Sequence, residues 1–188
     1  GVPATEPSMK VAVVGASGYT GLELVRIVLR HPQLELVAVT SEQRAGQALG
    51  EAFPALRGLS DLRLEAVDPA ALASRVDAAF TALPHGTSAG VVSELHKAGV
   101  VVVDLSADFR LSDPAVYGEW YGHAHRAVEL QKEAVYGLTE VKRSEIAAAH
   151  LVANPGCYPT GPQLALAPLL AAKQIAPGDI IIDAKSGV

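Results

Sequence analysis

The chain has one cysteine, and a single thiol cannot close a disulfide within it, so nothing in it calls for an oxidising compartment. Aromatic residues are scarce, 5% of 188 residues. A core must therefore come from Val, Ala, Leu and Ile, a bias that suits parallel strands buried under helices on both faces. No basic stripe is present: 15 Lys and Arg stand against 20 Asp and Glu, a net charge of -5, which argues against nucleic acid as a partner. No run reaches the roughly 18 apolar residues of a membrane span, and Gly1 to Ser8 lacks the basic-then-apolar order of a secretion signal. These absences describe a cytoplasmic protein with no membrane partner. The 49% hydrophobic content is that of a chain that folds.

Short apolar runs alternate with helical patterns. Val11–Val14, Leu34–Thr40, Ala78–Ala82, Val100–Asp104 and His150–Ala153 read as buried strands. Leu62–Val67, which alternates with charges, reads as an edge strand, and Ile180–Ala184 as a final apolar strand. Leu22–Arg30, Ser88–Ala98, Glu140–Ala149 and Thr160–Lys173 read as helices, the last with Pro162 in its first turn. Ser41–Ser60 is mostly loop. Ser106–Tyr136 is a long polar and aromatic stretch holding the only Trp, and a loop of that length within a compact domain is commonly functional. The alternation predicts an α/β fold with a doubly wound, Rossmann-like parallel sheet. A strand ending near Val188 has nothing after it to cover it, so the chain reads as the front part of a longer protein.

Two motifs carry chemistry. Gly15-Ala16-Ser17-Gly18-Tyr19-Thr20-Gly21 joins the first strand to the first helix. Its spacing is G-x-x-G-x-x-G. A dinucleotide loop needs a tight turn, an open place for pyrophosphate and close helix–strand packing, and glycine serves each because it has no Cβ. The phosphates then meet free N–H groups at a helix N-terminus. Dinucleotide choice is set just after the second strand, where this chain has Thr40-Ser41-Glu42-Gln43-Arg44. Ser41 and Arg44 suit a 2′-phosphate, which points to NADP, while Glu42 turned inward would favour NAD.

The second motif is Asn154-Pro155-Gly156-Cys157-Tyr158-Pro159-Thr160. Pro-Gly forces a turn, and the lone thiol stands where a helix begins. A helix N-terminus favours thiolate, and a residue between a strand's carboxyl end and the next helix faces the ligand crevice of this fold. A free cysteine is otherwise most often a small buried hydrophobe. One thiol beside one dinucleotide loop suggests reduction of an enzyme thioester by a nicotinamide.

The segment Val152–Gly161, with Ala165-Leu166 and Pro168, resembles the active-site signature of the N-acetyl-γ-glutamyl-phosphate reductases of arginine biosynthesis. Gly15–Gly21, Leu83-Pro84-His85-Gly86, Asp104–Leu111 and Tyr136–Glu140 resemble the same family, so the likeness runs from about Met9 to Val188. It implies an NADP-binding domain over 9–153 and the start of an α+β catalytic domain over 154–188. It also implies NADPH-dependent reduction of N-acetylglutamyl phosphate to the semialdehyde through a Cys157 thioester, in a homo-oligomer. Residue by residue, it implies Gly15, Ser17, Gly18, Tyr19, Thr20 and Gly21 at the pyrophosphate and Ser41 and Arg44 at the 2′-phosphate. Pro84 and His85 would lie near the ribose and nicotinamide, Ser186 and Gly187 would begin a second cofactor loop, and Arg110 would meet the substrate phosphate. The family's acid/base histidine lies downstream of its cysteine, whereas His31, His85, His96, His123, His125 and His150 all precede Cys157. None is assigned that role. His123 and His125 alternate in a loop without Cys or clustered carboxylates, which does not make a metal pair. Two alternatives stay open: a related aspartate-semialdehyde dehydrogenase, whose cysteine usually follows asparagine directly, and an NADP-binding fragment without turnover.

Overall fold

The structure, a computed structural model, describes residues 9–185. Seven strands form one sheet among them, in the order β3-β2-β1-β4-β5-β7-β6. They are β1 (Met9–Val14), β2 (Leu34–Thr40), β3 (Leu64–Glu65), β4 (Ala78–Thr81), β5 (Val101–Asp104), β6 (Val135–Tyr136) and β7 (Leu151–Ala153), and every paired neighbour is parallel. The chain winds outward from β1 through β2 to β3, crosses back to β4, and winds out the other way. The order therefore reverses beside β1, and in open α/β sheets that is where a ligand crevice forms.

Strand periodicity explains the two-sided core. Ala12 and Val14 point to one face and meet Leu72 of α3 (Pro69–Ala73) and Ala89, Val92 and Leu95 of α4 (Ser88–Lys97). Val13 points to the other and meets Val25 of α1 (Tyr19–Val28) with Leu49 and Ala52 of α2 (Leu49–Ala52). The β2 neighbours Ala38 and Val39 divide between the faces in the same way. Both faces being covered, the strands read as continuous apolar runs.

The long stretch after β5 is more structured than its polarity suggests. It holds α5 (Pro114–Tyr121), α6 (Val128–Gln131) and β6. Asp113 caps α5 by accepting from Ala115 N–H at 2.8 Å, with Pro114 in the first turn. β6 pairs outside β7, so the strand leading to the cysteine has a neighbour on each side. α7 (Thr139–Ala148) is kinked at Lys142, and α8 begins at Cys157 rather than Thr160 and runs to Ala171. Pro162 thus sits inside α8, beyond its first turn, where it has no N–H to donate to the Tyr158 carbonyl.

Ile180–Ala184 is not a strand: it is exposed and unpaired among the described residues. β-propensity alone does not make a strand; a neighbour must supply its ladder. No helix of the described residues is long and apolar enough to cross a membrane.

Candidate active site

The glycine loop follows β1 and is tied to the end of β2. Gly15 N–H donates to Thr40 Oγ1 at 3.1 Å, and Ala16 N–H donates to the Thr40 carbonyl at 2.8 Å. Its three glycines do three jobs. Gly15 has φ +86°, and a Cβ there would stand 2.6 Å from the Ala82 carbonyl oxygen, so the turn requires it. A Cβ on Gly21 would collide with backbone at Gly15 and Ala16, so Gly21 permits α1 to pack against the loop. Gly18, the residue capping α1, has nothing within 4 Å of its missing Cβ, and no side chain caps the helix. Its absent side chain and the first-turn N–H groups leave room and donors for an anion.

A crevice of about 330 Å³ opens there, lined by Gly15, Ser17, Gly18, Ser41, Glu42, Gln43, Val67, Ala82, Leu83 and Pro84. These residues follow β1, β2, β3 and β4, so the cavity lies at the carboxyl ends of the strands flanking the reversal. Tyr19 and Thr20 are exposed on the first turn of α1 and do not line it. Ser41 is buried, and its Oγ has no hydrogen-bond partner among the described residues. An orphaned hydroxyl in the wall of such a crevice fits a nucleotide that completes it.

Arg44 is placed differently from its expected role. Its Nη1 donates to the Ala52 carbonyl at 2.9 Å, and its guanidinium lies 5.3 Å from the Phe53 ring centroid. A 3-10 turn over Glu42–Arg44 carries it onto α2 and away from the crevice lining. Glu42 Oε1 accepts from Val67 N–H at 2.7 Å, which ties that carboxylate to the backbone after β3. Ser186 and Gly187 lie outside the described residues.

Beside the crevice, two buried carboxylates organise the turn after β4. Asp104, fully buried at the end of β5, accepts from Thr81 Oγ1 and Ser88 Oγ at 2.6 Å each and from Ser106 Oγ at 2.5 Å. Asp108, 1% exposed, accepts from Gly86 N–H at 2.8 Å, Ala89 N–H at 3.0 Å and the Tyr117 hydroxyl at 3.0 Å. It thereby caps the N-terminus of α4, where a negative charge is favoured. Ala107 N–H donates to His85 Nδ1 at 2.9 Å, which leaves any proton of the neutral ring on Nε2. The turn carrying Pro84 and His85 is thus held from two sides. Sequence reasoning gave these carboxylates no role of their own; the available signal was an Asp closing an apolar strand with Ser and Thr nearby, a pattern that needs partners when buried. Burial, then the charge of Asp108 and its hydrogen bond, push the Tyr117 phenol above its ordinary pKa.

Cys157 is exposed and is the first residue of α8, capped by Gly156. Asn154 N–H extends the β5–β7 ladder by donating to the Asp104 carbonyl at 2.8 Å. Arg110 reaches the same place: its Nε donates to the Asn154 carbonyl at 2.8 Å and its Nη2 to the Leu105 carbonyl at 2.7 Å. The structure therefore brings Arg110 to the cysteine turn, and Ser17, Gly18, Ser41 and Pro84 to the crevice. Among the described residues, no three His, Cys, Asp or Glu side chains are grouped to hold a metal.

α8 has no buried residue. An apolar groove of about 700 Å³ runs along it, lined by Tyr136, Leu138, Val141, Tyr158, Leu166 and Ile182 among others.

The crevice after the glycine loop and the exposed thiol both lie at the carboxyl ends of the sheet's strands, and comparison with known proteins gives the family. Residues 10–149 match the semialdehyde dehydrogenase NAD-binding domain, and residues 157–188 match the semialdehyde dehydrogenase dimerisation domain. The chain belongs to the semialdehyde dehydrogenase family. It is 57% identical over 183 residues to an N-acetyl-gamma-glutamyl-phosphate reductase of Rhodospirillum rubrum, covering 95% of this chain and 52% of that protein. It is 55% identical over 180 residues to a probable chloroplastic N-acetyl-gamma-glutamyl-phosphate reductase of Oryza sativa, covering 96% of this chain and 43% of that one. The chain thus spans about half the length of these relatives. Among solved structures, aspartate semialdehyde dehydrogenase II of Vibrio cholerae, complexed with ASA, shares the fold. Its TM-score is 0.63 at 22% identity over 88% of this chain and 47% of that one. A probable aspartate-semialdehyde dehydrogenase of Pseudomonas aeruginosa aligns with TM-score 0.57 at 28% identity, over 88% and 43%.

Proposed function

We propose that this chain carries the cofactor site and the nucleophile of an N-acetyl-γ-glutamyl-phosphate reductase. The observation that carries the reading is the place of Cys157: exposed, first in α8, directly after β7, on the same carboxyl edge of the sheet as the glycine-loop crevice. Identities of 57% and 55% to proteins with that name, against 28% to a probable aspartate-semialdehyde dehydrogenase, favour the acetylglutamyl substrate over the aspartyl one.

In this reading the Cys157 thiolate attacks the acyl carbonyl, the carbon–oxygen bond to phosphate breaks, and inorganic phosphate leaves a Cys157 thioester. A nicotinamide cofactor held in the crevice would supply a hydride to the thioester carbonyl, and breaking of the carbon–sulfur bond would release the aldehyde and return the Cys157 thiolate. Gly15, Gly18, Gly21 and the α1 N-terminus would hold its pyrophosphate, with Ser17 at the lip of the crevice and Tyr19 and Thr20 on the first turn. Ser41, whose partnerless hydroxyl lines the crevice, would take the 2′-phosphate; Arg44 would first have to leave Ala52 and Phe53. Pro84 and His85 would border the ribose and nicotinamide on a turn that Asp108 and Ala107 hold still. The Arg110 Nη1 makes no hydrogen bond among the described residues and is left for the substrate phosphate. The domain division at 153/154, homo-oligomerisation through the segment resembling a dimerisation domain, and a cytoplasmic setting belong to the same proposal; the rice relative is named as chloroplastic.

The test is NADPH oxidation and phosphate release by the purified protein with N-acetylglutamyl phosphate. Cys157→Ser is expected to abolish both and leave NADPH binding intact. Faster turnover of aspartyl phosphate, or turnover that survives Cys157→Ser, refutes the proposal.

A further inference from the structure

Gly156 presents a puzzle that backbone geometry does not solve. Its φ is -70° and its ψ 156°, ordinary values for any residue capping a helix. Nothing in its conformation asks for glycine. Its surroundings are tight instead: a Cβ there would stand 3.0 Å from Arg110 Nη1 and 3.3 Å from Pro159 Cδ, so these neighbours would have to give by a few tenths of an ångström. The missing side chain is the space into which the guanidinium fits.

Arg110 fills that space while tying two strand ends together. β5 and β7 are paired through Asp104 and Ala153, and the ladder makes one more bond, from Asn154 N–H to the Asp104 carbonyl. There the chains part: one continues through Leu105 to the buried Ser106–Phe109 segment, the other turns through Pro155 and Gly156 into α8. Arg110 spans the parting, with Nε on the Asn154 carbonyl and Nη2 on the Leu105 carbonyl. A planar guanidinium offers donors in fixed directions along its edges and can bridge two carbonyls in this way; a lysine ammonium is a single point on a flexible stem.

We infer that Arg110 is a positioning residue for Cys157: it fixes the Asn154–Gly156 turn from which the thiol is presented, and Gly156 is glycine in order to admit it. This rests on Cys157 being the nucleophile, and adds to the substrate-phosphate role proposed for Arg110 a task performed before any substrate arrives. The positioning bonds use Nε and Nη2, whereas the substrate-phosphate role uses Nη1, the nitrogen beside Gly156.

The test needs no substrate. The second-order rate of Cys157 alkylation by iodoacetamide at pH 7 is measured for the wild-type chain, Arg110→Lys, Gly156→Ala and the double variant, with NADPH affinity as the check that the fold survives. Arg110→Lys keeps the charge and loses the bridge; Gly156→Ala keeps the arginine and crowds its Nη1, so that the guanidinium must shift by a few tenths of an ångström. Each is expected to change the alkylation rate by about fivefold to tenfold, the scale of one typical intramolecular hydrogen bond, with NADPH affinity unchanged. The double variant is expected to show no more than the larger single effect, because both break one device. If Arg110→Lys does not fold, Gly156→Ala decides. Wild-type rates in both single variants, or multiplying effects in the double, overturn the inference while leaving the nucleophile in place. A wild-type Cys157 no more reactive than a free small thiol overturns the nucleophile reading and the inference together.

Discussion

Replacing Asp108 by Asn is nearly isosteric, and its cost can be worked from three hydrogen bonds. Oδ1 accepts from Gly86 N–H and the Tyr117 hydroxyl, and Oδ2 from Ala89 N–H. An amide oxygen in the Oδ1 place keeps the first two contacts without their charge assistance, which forfeits roughly 0.5–1 kcal/mol for each. The amide nitrogen then faces Ala89 N–H, donor against donor, and a buried N–H without an acceptor costs about 1–3 kcal/mol. Removing a buried charge offsets part of the loss, because desolvating a carboxylate is itself unfavourable. The net expectation is a destabilisation of about 2–4 kcal/mol, a large share of the 5–15 kcal/mol typical of a domain. With a urea slope of about 2 kcal/mol/M, the unfolding midpoint falls by about 1–2 M. The assay is urea unfolding followed by far-UV circular dichroism, with Tyr117→Phe and the double variant alongside. The double variant is expected to cost less than the two singles added, since both act on one oxygen. A midpoint within about 0.3 M of wild type, or strict additivity, refutes the claim that Asp108 holds the turn after β4.

Other expectations follow from the same geometry. Ser41→Ala removes a buried hydroxyl without a partner, so stability is expected to hold or rise by about 1 kcal/mol while NADPH affinity falls more than NADH affinity; calorimetry with both nucleotides checks this. Arg44→Ala is expected to lower the melting temperature and to weaken the two nucleotides equally, since the guanidinium is engaged with Ala52 and Phe53. Gly18→Ala is expected to leave the melting temperature nearly unchanged and weaken cofactor binding, whereas Gly21→Ala meets backbone and is expected to impair folding itself; comparing the two separates an open cradle from a packed contact. The raised Tyr117 phenol gives a pH signature. The folded chain keeps that proton above about pH 10, where the unfolded chain loses it. The stability is therefore fully present below about pH 10 and declines as pH rises beyond it, and the decline is expected to be shallower in Tyr117→Phe, as alkaline urea titrations would show.

Strands buried on both faces announce themselves in sequence as near-continuous apolar runs, and in β2 only Glu35 is exposed. β2 has the bounds Leu34–Thr40 that its apolar run predicts, and β4 and α4 end within a residue of expectation. α3 and α5 were missed although Asp68-Pro69 and Asp113-Pro114 are both start signals. Short helices in a polar stretch have little periodicity to display, so their caps carry the signal alone. Ile180–Ala184 erred the other way, since an apolar run shows capacity to pair and not the presence of a partner. Arg44 shows the limit for site residues. Proximity in sequence to the end of β2 suggested the 2′-phosphate, and a single 3-10 turn redirects the side chain onto α2. The thiol and the glycine loop were legible because each depends on local backbone geometry; the Asp104 and Asp108 networks were not, because their partners lie 9 to 23 residues away for the contacts with Tyr117, Gly86, Ala89, Ser88 and Thr81.

The placement of β6 outside β7 has a consequence for motion. Were β7 the last strand, its amides would open toward water with every fluctuation of the sheet margin. With β5 on one side and β6 on the other, Val152 and Ala153 are shut in a ladder, and their amide protons are expected to be among the slowest in the chain to exchange with deuterium. The turn between Ala153 and α8 then leaves a strand held on both sides and is itself tied by Arg110, so that the thiol rides on a nearly still mount.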